Sequence, residues 1–304
     1  MGSERRPLEV GLMLATVADL DSGRLDPQRV LEAARRAEDG GFDALYVGDH
    51  VLHPRPMLDA VVTLATVAAA TRRVALGPCV LLLALRHPLV VANQLSTLAQ
   101  FAPGRLRLGI GVGGEYRAEF EAVGVPLGER GTRTTEALRV VRDRIGDVPI
   151  FMGGSSEAAL RRAAGHGDGW MGYLLEPDGF ARRRARLDML RRRGGKVHRP
   201  FTLGMLLPVL VTGRATGRAD AAAAWNRLTS LGRALPERLF IAGSPEDIAT
   251  DLGRYRRAGC DELVVTPADH GSTYLQQVDE LVGEVLPRLR APQDLVEPNG
   301  SSTG

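Results

Sequence analysis

Cysteine is nearly absent: the 304 residues hold two, Cys79 and Cys260. Two cysteines so far apart make neither a disulfide framework nor a metal-binding pair, so a reducing, cytoplasmic setting is expected. Aromatic residues amount to 5%, too few for the stacking platforms that single-stranded nucleic acid uses. Lysine occurs once, at Lys196. A dominant charge is missing too, because Lys+Arg 39 against Asp+Glu 36 leaves only +3. That balance gives no argument for nucleic acid or a membrane surface as partner. No apolar run approaches the roughly 18 residues of a spanning helix, and the opening MGSERRPLEV lacks a signal-peptide pattern. The expected partner is a small molecule.

What the chain does have is apolar residues at 44%, charged residues at 25%, 36 glycines and 18 prolines, the make-up of a globular chain with many tight turns. Short apolar runs alternate with helical patterns. Residues 8–15, 43–48, 73–83, 105–111, 148–152, 168–173, 201–211 and 261–266 read as strands. Residues 27–40, 57–70, 88–102, 130–145, 155–165, 177–193, 219–232, 245–258 and 271–289 read as helices, the first opened by Asp26 and Pro27. Strands such as VALGPCVLLL are apolar throughout, as in a parallel sheet covered on both faces. The pattern predicts an α/β chain, a single-domain (β/α)8 TIM barrel over 1–290. The doubly wound alternative lacks its Gly-rich fingerprint after the first strand. Residues 291–304 (APQDLVEPNGSSTG) read as a disordered tail.

A barrel builds its site from the loops after the strand C-termini. The second such loop carries Asp49-His50, and a histidine there can move protons near neutral pH; the plain alternative is an ordinary loop histidine. The third, from Cys79 through Val80 and Leu82 to Ala84, is too apolar for acid–base work and suits the wall of a ring. The fourth, Gly109 to Glu115, includes Val112 and Gly113 and lets backbone approach a flat ring or phosphate. The fifth, Gly153-Gly154-Ser155-Ser156, stands before a helix and could receive an anion, or else simply supply an N-cap.

AEDGGFDALYVGDH and TRRVALGPCVLLLALRHPLVVANQLSTLAQFAPGRLRLGIGVGG, in that order, resemble the bacterial luciferase-like monooxygenase family. So do EFEAVGVPLGERGTRTTEAL, VPIFMGGSSEAALRRAAGHGDGW and GSPEDIATDLGRYRRAGCDELVV, which extend the resemblance over about 8–290. The resemblance implies a barrel that binds coenzyme F420, a deazaflavin, or else FMN, at the strand C-terminal end, and a homodimer. It implies a cis peptide at Cys79–Val80, with Cys79, Val80 and Leu82 against the ring. It also implies Asp49 and His50 as the ring-contacting pair, His50 moving the proton, and Val112 and Gly113 as backbone contacts. Gly153, Gly154, Ser155 and Ser156 become the phosphate loop.

The sequence departs from that family in two places. In the glucose-6-phosphate dehydrogenase branch a carboxylate directly follows the second glycine of the fourth loop. Gly114 stands there here, with Glu115, a candidate catalytic carboxylate, one residue later. That branch's phosphate-binding lysines also have no counterpart, which argues against a sugar phosphate. The connection between the fourth helix and fifth strand is shortened as well, with ALRVVRDRIGDVPIFMGG running almost directly from one to the other. These points favour deazaflavin-dependent hydride transfer to a small, fairly apolar molecule, such as a conjugated C=C or a C=N acceptor. An FMN-dependent monooxygenase and a non-catalytic flavin-binding barrel are the alternatives. Arg182 to Arg193 read as a solvated helix face, with an anionic cofactor tail as the other use.

Overall fold

The computed structural model describes residues 7–212, 217–230 and 234–291. The expected tail, beyond Ala291, lies outside them, as do residues 231–232 of the helix read at 219–232. Ten parallel strands form one sheet in the order β3-β2-β1-β10-β8-β7-β6-β5-β4, with β9 attached to β8. They are β1 Glu9–Met13, β2 Ala44–Val47, β3 Ala75–Pro78, β4 Leu81–Leu82 and β5 Leu108–Gly111, then β6 Ile150–Gly153, β7 Gly169–Tyr173, β8 Thr202–Val211, β9 Ile241–Gly243 and β10 Glu262–Pro267.

The run 73–83, expected as one strand, is two. The Cys79–Val80 peptide is cis, and the halves bond different neighbours: β3 pairs β2, and β4 pairs β5. Backbone bonds from Leu76 to Arg105 and Arg107 close the ring beside β5. Counting β3 and β4 as one stave and setting β9 aside leaves the eight staves of a (β/α)8 barrel. β9 was not foreseen; its three residues, Ile241-Ala242-Gly243, are too few to show a period.

Helices cover the outside: α1 Pro27–Asp39, α2 Ala60–Ala70, α3 Pro88–Phe101, α4 Arg117–Ala122, α5 Arg130–Ile145, α6 Glu157–His166, α7 Pro177–Arg193, α8 Gly217–Thr229 and α9 Pro245–Arg257. The last outer segment is α10 Tyr274–Glu280, a π-helical turn at Leu281–Val285, and α11 Leu286–Arg290. Alternation along each strand divides the core. Leu12, Leu45, Leu263 and Val265 face the helices, whereas Met13, Tyr46 and Val264 pack inside the barrel with Cys79, Met171 and Leu206. The bottom of the barrel is plugged by polar groups. Tyr46 donates to Glu262 at 2.6 Å, and Arg107 reaches Glu262 at 3.3 Å and Glu9 at 2.5 Å. The opposite end stays open.

Only Gly146 to Pro149 separate α5 from β6, which is the short connection the sequence indicates. The arginine face of α7 is less solvated than expected. Arg191 is buried, donates to the carbonyls of Lys196 and Arg199 at 2.9 and 2.6 Å, and lies 4.2 Å from the Phe201 ring centre. Arg184 donates to Ala258 O. A guanidinium on a long stem can cap several carbonyls at once, so charge alone did not mean solvent here.

Candidate active site

The open end of the barrel holds a cavity of about 300 Å³, lined by residues in or directly after every strand except β9. Its floor is made by glycines and one valine. A Cβ on Gly111 would come within 2.3 Å of Val80 Cγ2, one on Gly153 within 2.9 Å of Val80 Cγ1, and one on Gly109 within 3.3 Å of the same atom. The three glycines of β5 and β6 therefore make the cradle that seats Val80. Gly113, at φ +64°, continues this bare backbone toward the rim. A flat ring has a smooth wall to lie against, so the residues present fit a flavin-type group.

Asp49 leaves β2 and is 3% exposed. It accepts from Leu82 N at 2.9 Å and takes a two-point contact from Arg86 at 2.6 and 2.7 Å. Such forks are among the stronger ion-pair geometries. Asp49 thus ties the second loop to the third, and the role of Arg86 is to hold it.

His50 points its Nδ1 at both oxygens of Glu119, each 3.2 Å away. Glu119 lies on α4 and is wholly buried. A carboxylate offers only acceptors, so this contact assigns the proton to Nδ1. Nε2 is left facing the cavity, 4.0 Å from Glu115 Oε2. Glu115 is half exposed at the rim. Sequence reasoning missed Glu119, although its place four residues after Glu115 was the available signal.

Tyr116 sits between the fourth loop and α8. Its hydroxyl donates to Thr229 O and lies 3.3 Å from His53 Nε2. Burial, with the charges of Glu115 and Glu119, pushes the phenol up, so it stays protonated. His53 Nδ1 accepts from Arg55 N at 3.1 Å. Burial pushes the His53 ring down, which favours its neutral form. The rings of His50, His53 and Tyr116 pack with centres 4.7–5.5 Å apart.

The fifth loop divides. Gly153 and Gly154 line the cavity, together with Val112, Gly113, Cys79, Val80 and Leu82. Ser155 and Ser156 stand outside its wall; Ser156 caps α6 by accepting from Ala159 N at 3.2 Å. The loop carbonyls are tied back, Gly154 O by Trp170 Nε1 at 2.7 Å and Ser155 O by Arg183 at 3.2 Å. On α6, Arg162 donates to Thr135 on α5 at 3.2 Å, and it is pushed below its usual range by burial and by the neighbouring Arg130 charge. Two guanidiniums side by side make a place of positive potential. Among the described residues no cluster of His, Cys and carboxylates could hold a metal ion.

The sequence pattern of the luciferase-like monooxygenase family matches residues 8–234. The chain belongs to that family. An uncharacterised protein of Mycobacterium tuberculosis, Rv0940c, is 30% identical, over 57% of this chain and 74% of its own. The F420-dependent glucose-6-phosphate dehydrogenase of Kineococcus radiotolerans is 38% identical, over 38% of this chain and 36% of its own. Among solved structures, an F420-dependent secondary alcohol dehydrogenase in complex with an F420–acetone adduct superposes with a TM-score of 0.80. It is 20% identical, and the match covers 93% of this chain and 99% of that one. The barrel, the cis peptide and the short connection thus belong to a luciferase-like chain, and its relatives include F420-dependent oxidoreductases.

Proposed function

We propose that this luciferase-like chain is an F420-dependent oxidoreductase that moves hydride between the deazaflavin and a small, mostly apolar substrate, reducing a conjugated C=C or a C=N bond. The observation that carries the reading is the His50–Glu119 pair at the rim of a glycine-floored cavity. When bound, the deazaflavin supplies a carbon that gives or takes hydride. The protein supplies the rest. Val80 and the bare backbone of Gly111, Gly113 and Gly153 back the ring, and Cys79 and Leu82 complete that wall. Arg130, Arg162 and the N–H groups of Gly154, Ser155 and α6 form the place for the cofactor's phosphate.

His50 holds a proton on Nδ1 for Glu119, so Nε2 is the atom that gives a proton to, or takes one from, the substrate atom next to the hydride acceptor, carbon in a C=C bond and nitrogen in a C=N bond. Asp49 keeps the His50 loop in register through Leu82 N and Arg86. Apolar walls from Met13, Val17, Met57 and Leu228 exclude water from the reacting atoms. Glu115 stands close enough to Nε2 to relay the proton to solvent.

The test is a pair of fluorescence titrations of the purified protein, one with oxidised F420 and one with FMN. Binding of F420 with FMN at least tenfold weaker supports the reading. Tight FMN binding with none of F420 would overturn it in favour of a flavin monooxygenase, and binding of neither would leave a barrel without this cofactor chemistry.

A further inference from the structure

One wall of the cavity carries polar groups that neither the fold nor the cofactor reading uses. Thr266 on β10, His270 just after it and Trp225 on α8 all line the cavity. They are 0%, 4% and 7% exposed. Thr266 Oγ1 and Trp225 Nε1 make no hydrogen bond among the described residues, and the His270 ring is held only loosely, by the Pro267 carbonyl. Buried polar side chains nearly always have partners, so two without one beside a loosely held third, around a single cavity, call for a ligand group.

We propose that Thr266, His270 and Trp225 form a subsite for a neutral oxygen of the substrate, a carbonyl or a hydroxyl. This deepens the oxidoreductase reading and rests on it for the word substrate. The chemistry of the three groups selects the ligand. A neutral imidazole offers one donor and one acceptor, a threonine hydroxyl offers both, and an indole offers a donor alone. That set matches a carbonyl, which accepts, or a hydroxyl, which does both. It does not match a carboxylate or phosphate, which needs a fixed cation.

His270 is not such a cation. Burial, and then the charge of Arg29, push it down to about 4, against the smaller opposing pull of the Asp269 charge and the Pro267 carbonyl. Arg29 is itself committed, to Asp19 at 2.5 Å and Gly271 O at 3.1 Å, and lies 5.8 Å from the ring centre of Tyr274. Tyr274 packs edge-on against His270 with ring centres 5.5 Å apart, and donates to Met13 O at 3.0 Å. The imidazole is therefore braced from behind. Around the three groups the cavity is apolar, with Met13, Leu14, Val17, Leu206 and Leu228. A molecule that fits is mostly hydrocarbon and carries an uncharged oxygen: a ketone, a conjugated enone or an alcohol.

The test uses cyclohexanone and cyclohexanol as probes, with cyclohexene as the control of the same size that lacks oxygen. Binding is read by ligand-observed saturation-transfer NMR, on the protein as purified and again with F420 added. Wild type should bind both oxygenated probes more tightly than cyclohexene. Thr266→Val and His270→Leu should each weaken the oxygenated probes about three- to tenfold, the span of one neutral hydrogen bond, and leave cyclohexene unchanged. His270→Gln, which keeps a donor and an acceptor, should recover most of the loss. F420 affinity should stay the same in every variant. Equal binding of cyclohexanone, cyclohexanol and cyclohexene by wild type would overturn the subsite even where F420 binds. A protein that binds no F420 but prefers the oxygenated probes would keep the subsite and overturn the cofactor reading. If His270→Leu fails to fold, Thr266→Val decides the matter alone, because it replaces a hydroxyl by a methyl of nearly the same volume. An unchanged Thr266→Val would overturn the proposal.

Discussion

Removing the Glu119 carboxylate should have opposite effects on stability depending on whether His50 is present. In the wild type, Glu119→Gln replaces a carboxylate that faces Nδ1 with both oxygens at 3.2 Å. A hydrogen bond to a charged group contributes about 1.5–3 kcal/mol, against about 0.5–1.5 for a neutral one. Glu119→Gln should therefore destabilise the fold by about 1 kcal/mol. His50→Ala leaves a carboxylate that is wholly buried without its partner, and the loss should reach about 3 kcal/mol. In the His50→Ala background, Glu119→Gln then removes an uncompensated charge and should stabilise. The sign reverses. A double-mutant cycle by urea unfolding at pH 7.5 measures the coupling, expected at about 1.5–3 kcal/mol. The same proteins titrated with F420 should bind it within about tenfold of wild type, while hydride-transfer turnover in His50→Ala falls about 10²–10⁴. Additive single effects, within about 0.5 kcal/mol, would refute the pairing, and near-normal turnover in His50→Ala would remove it from the mechanism.

Gly111→Ala places a methyl 2.3 Å from Val80 Cγ2; overpacking of about 1–3 kcal/mol should appear as a lowered Tm, together with loss of F420 binding as Val80 moves. Arg191→Gln should destabilise by about 1–3 kcal/mol in urea unfolding, because the carbonyls of Lys196 and Arg199 lose their charged donor, with cofactor affinity unchanged. A paired Arg130→Gln, Arg162→Gln variant should weaken F420 binding by at least tenfold and flatten its dependence on salt, whereas riboflavin, which lacks the phosphate, should be unaffected. The pH dependence of stability should carry the mark of His270. Its folded value of about 4 lies below the ordinary 6.5, so the unfolded chain takes up a proton that the fold refuses. Stability is complete above about pH 6.5 and declines as pH falls toward 4, by up to about 3 kcal/mol at 1.36 kcal/mol per unit. Urea unfolding at pH 7.5 and 5 should show that decline in wild type and a smaller one in His270→Leu.

The barrel was legible because each of its staves is an apolar run followed by an amphipathic helix, and that alternation has few other closures in space. Two features escaped for opposite reasons. The stave at 73–83 reads as one continuous apolar strand, and a cis bond leaves no trace in apolar periodicity; it was expected only because the motif resembled a family. β9 is three residues long, and its pairing with Val209–Val211 is a tertiary fact that no local pattern encodes.

The site was legible where loop position alone decides it, and hidden where one side chain must find another. Asp49, His50, Val80, Gly113 and Gly153 stand at strand exits, so the barrel topology puts them at the cavity. Glu119 and Arg86 act through partners 69 and 37 residues away, distances over which sequence carries no pairing signal. Arg86 is the clamp that fixes Asp49. Thr266 and Trp225 were invisible for a further reason: what marks them is the lack of a partner, and a missing contact exists only once every neighbour has been placed. The catalytic side of this cavity is therefore a matter of strand order. Its substrate side depends on which buried polar groups the packing leaves unsatisfied, and that is where members of one family sharing one barrel can diverge in what they bind.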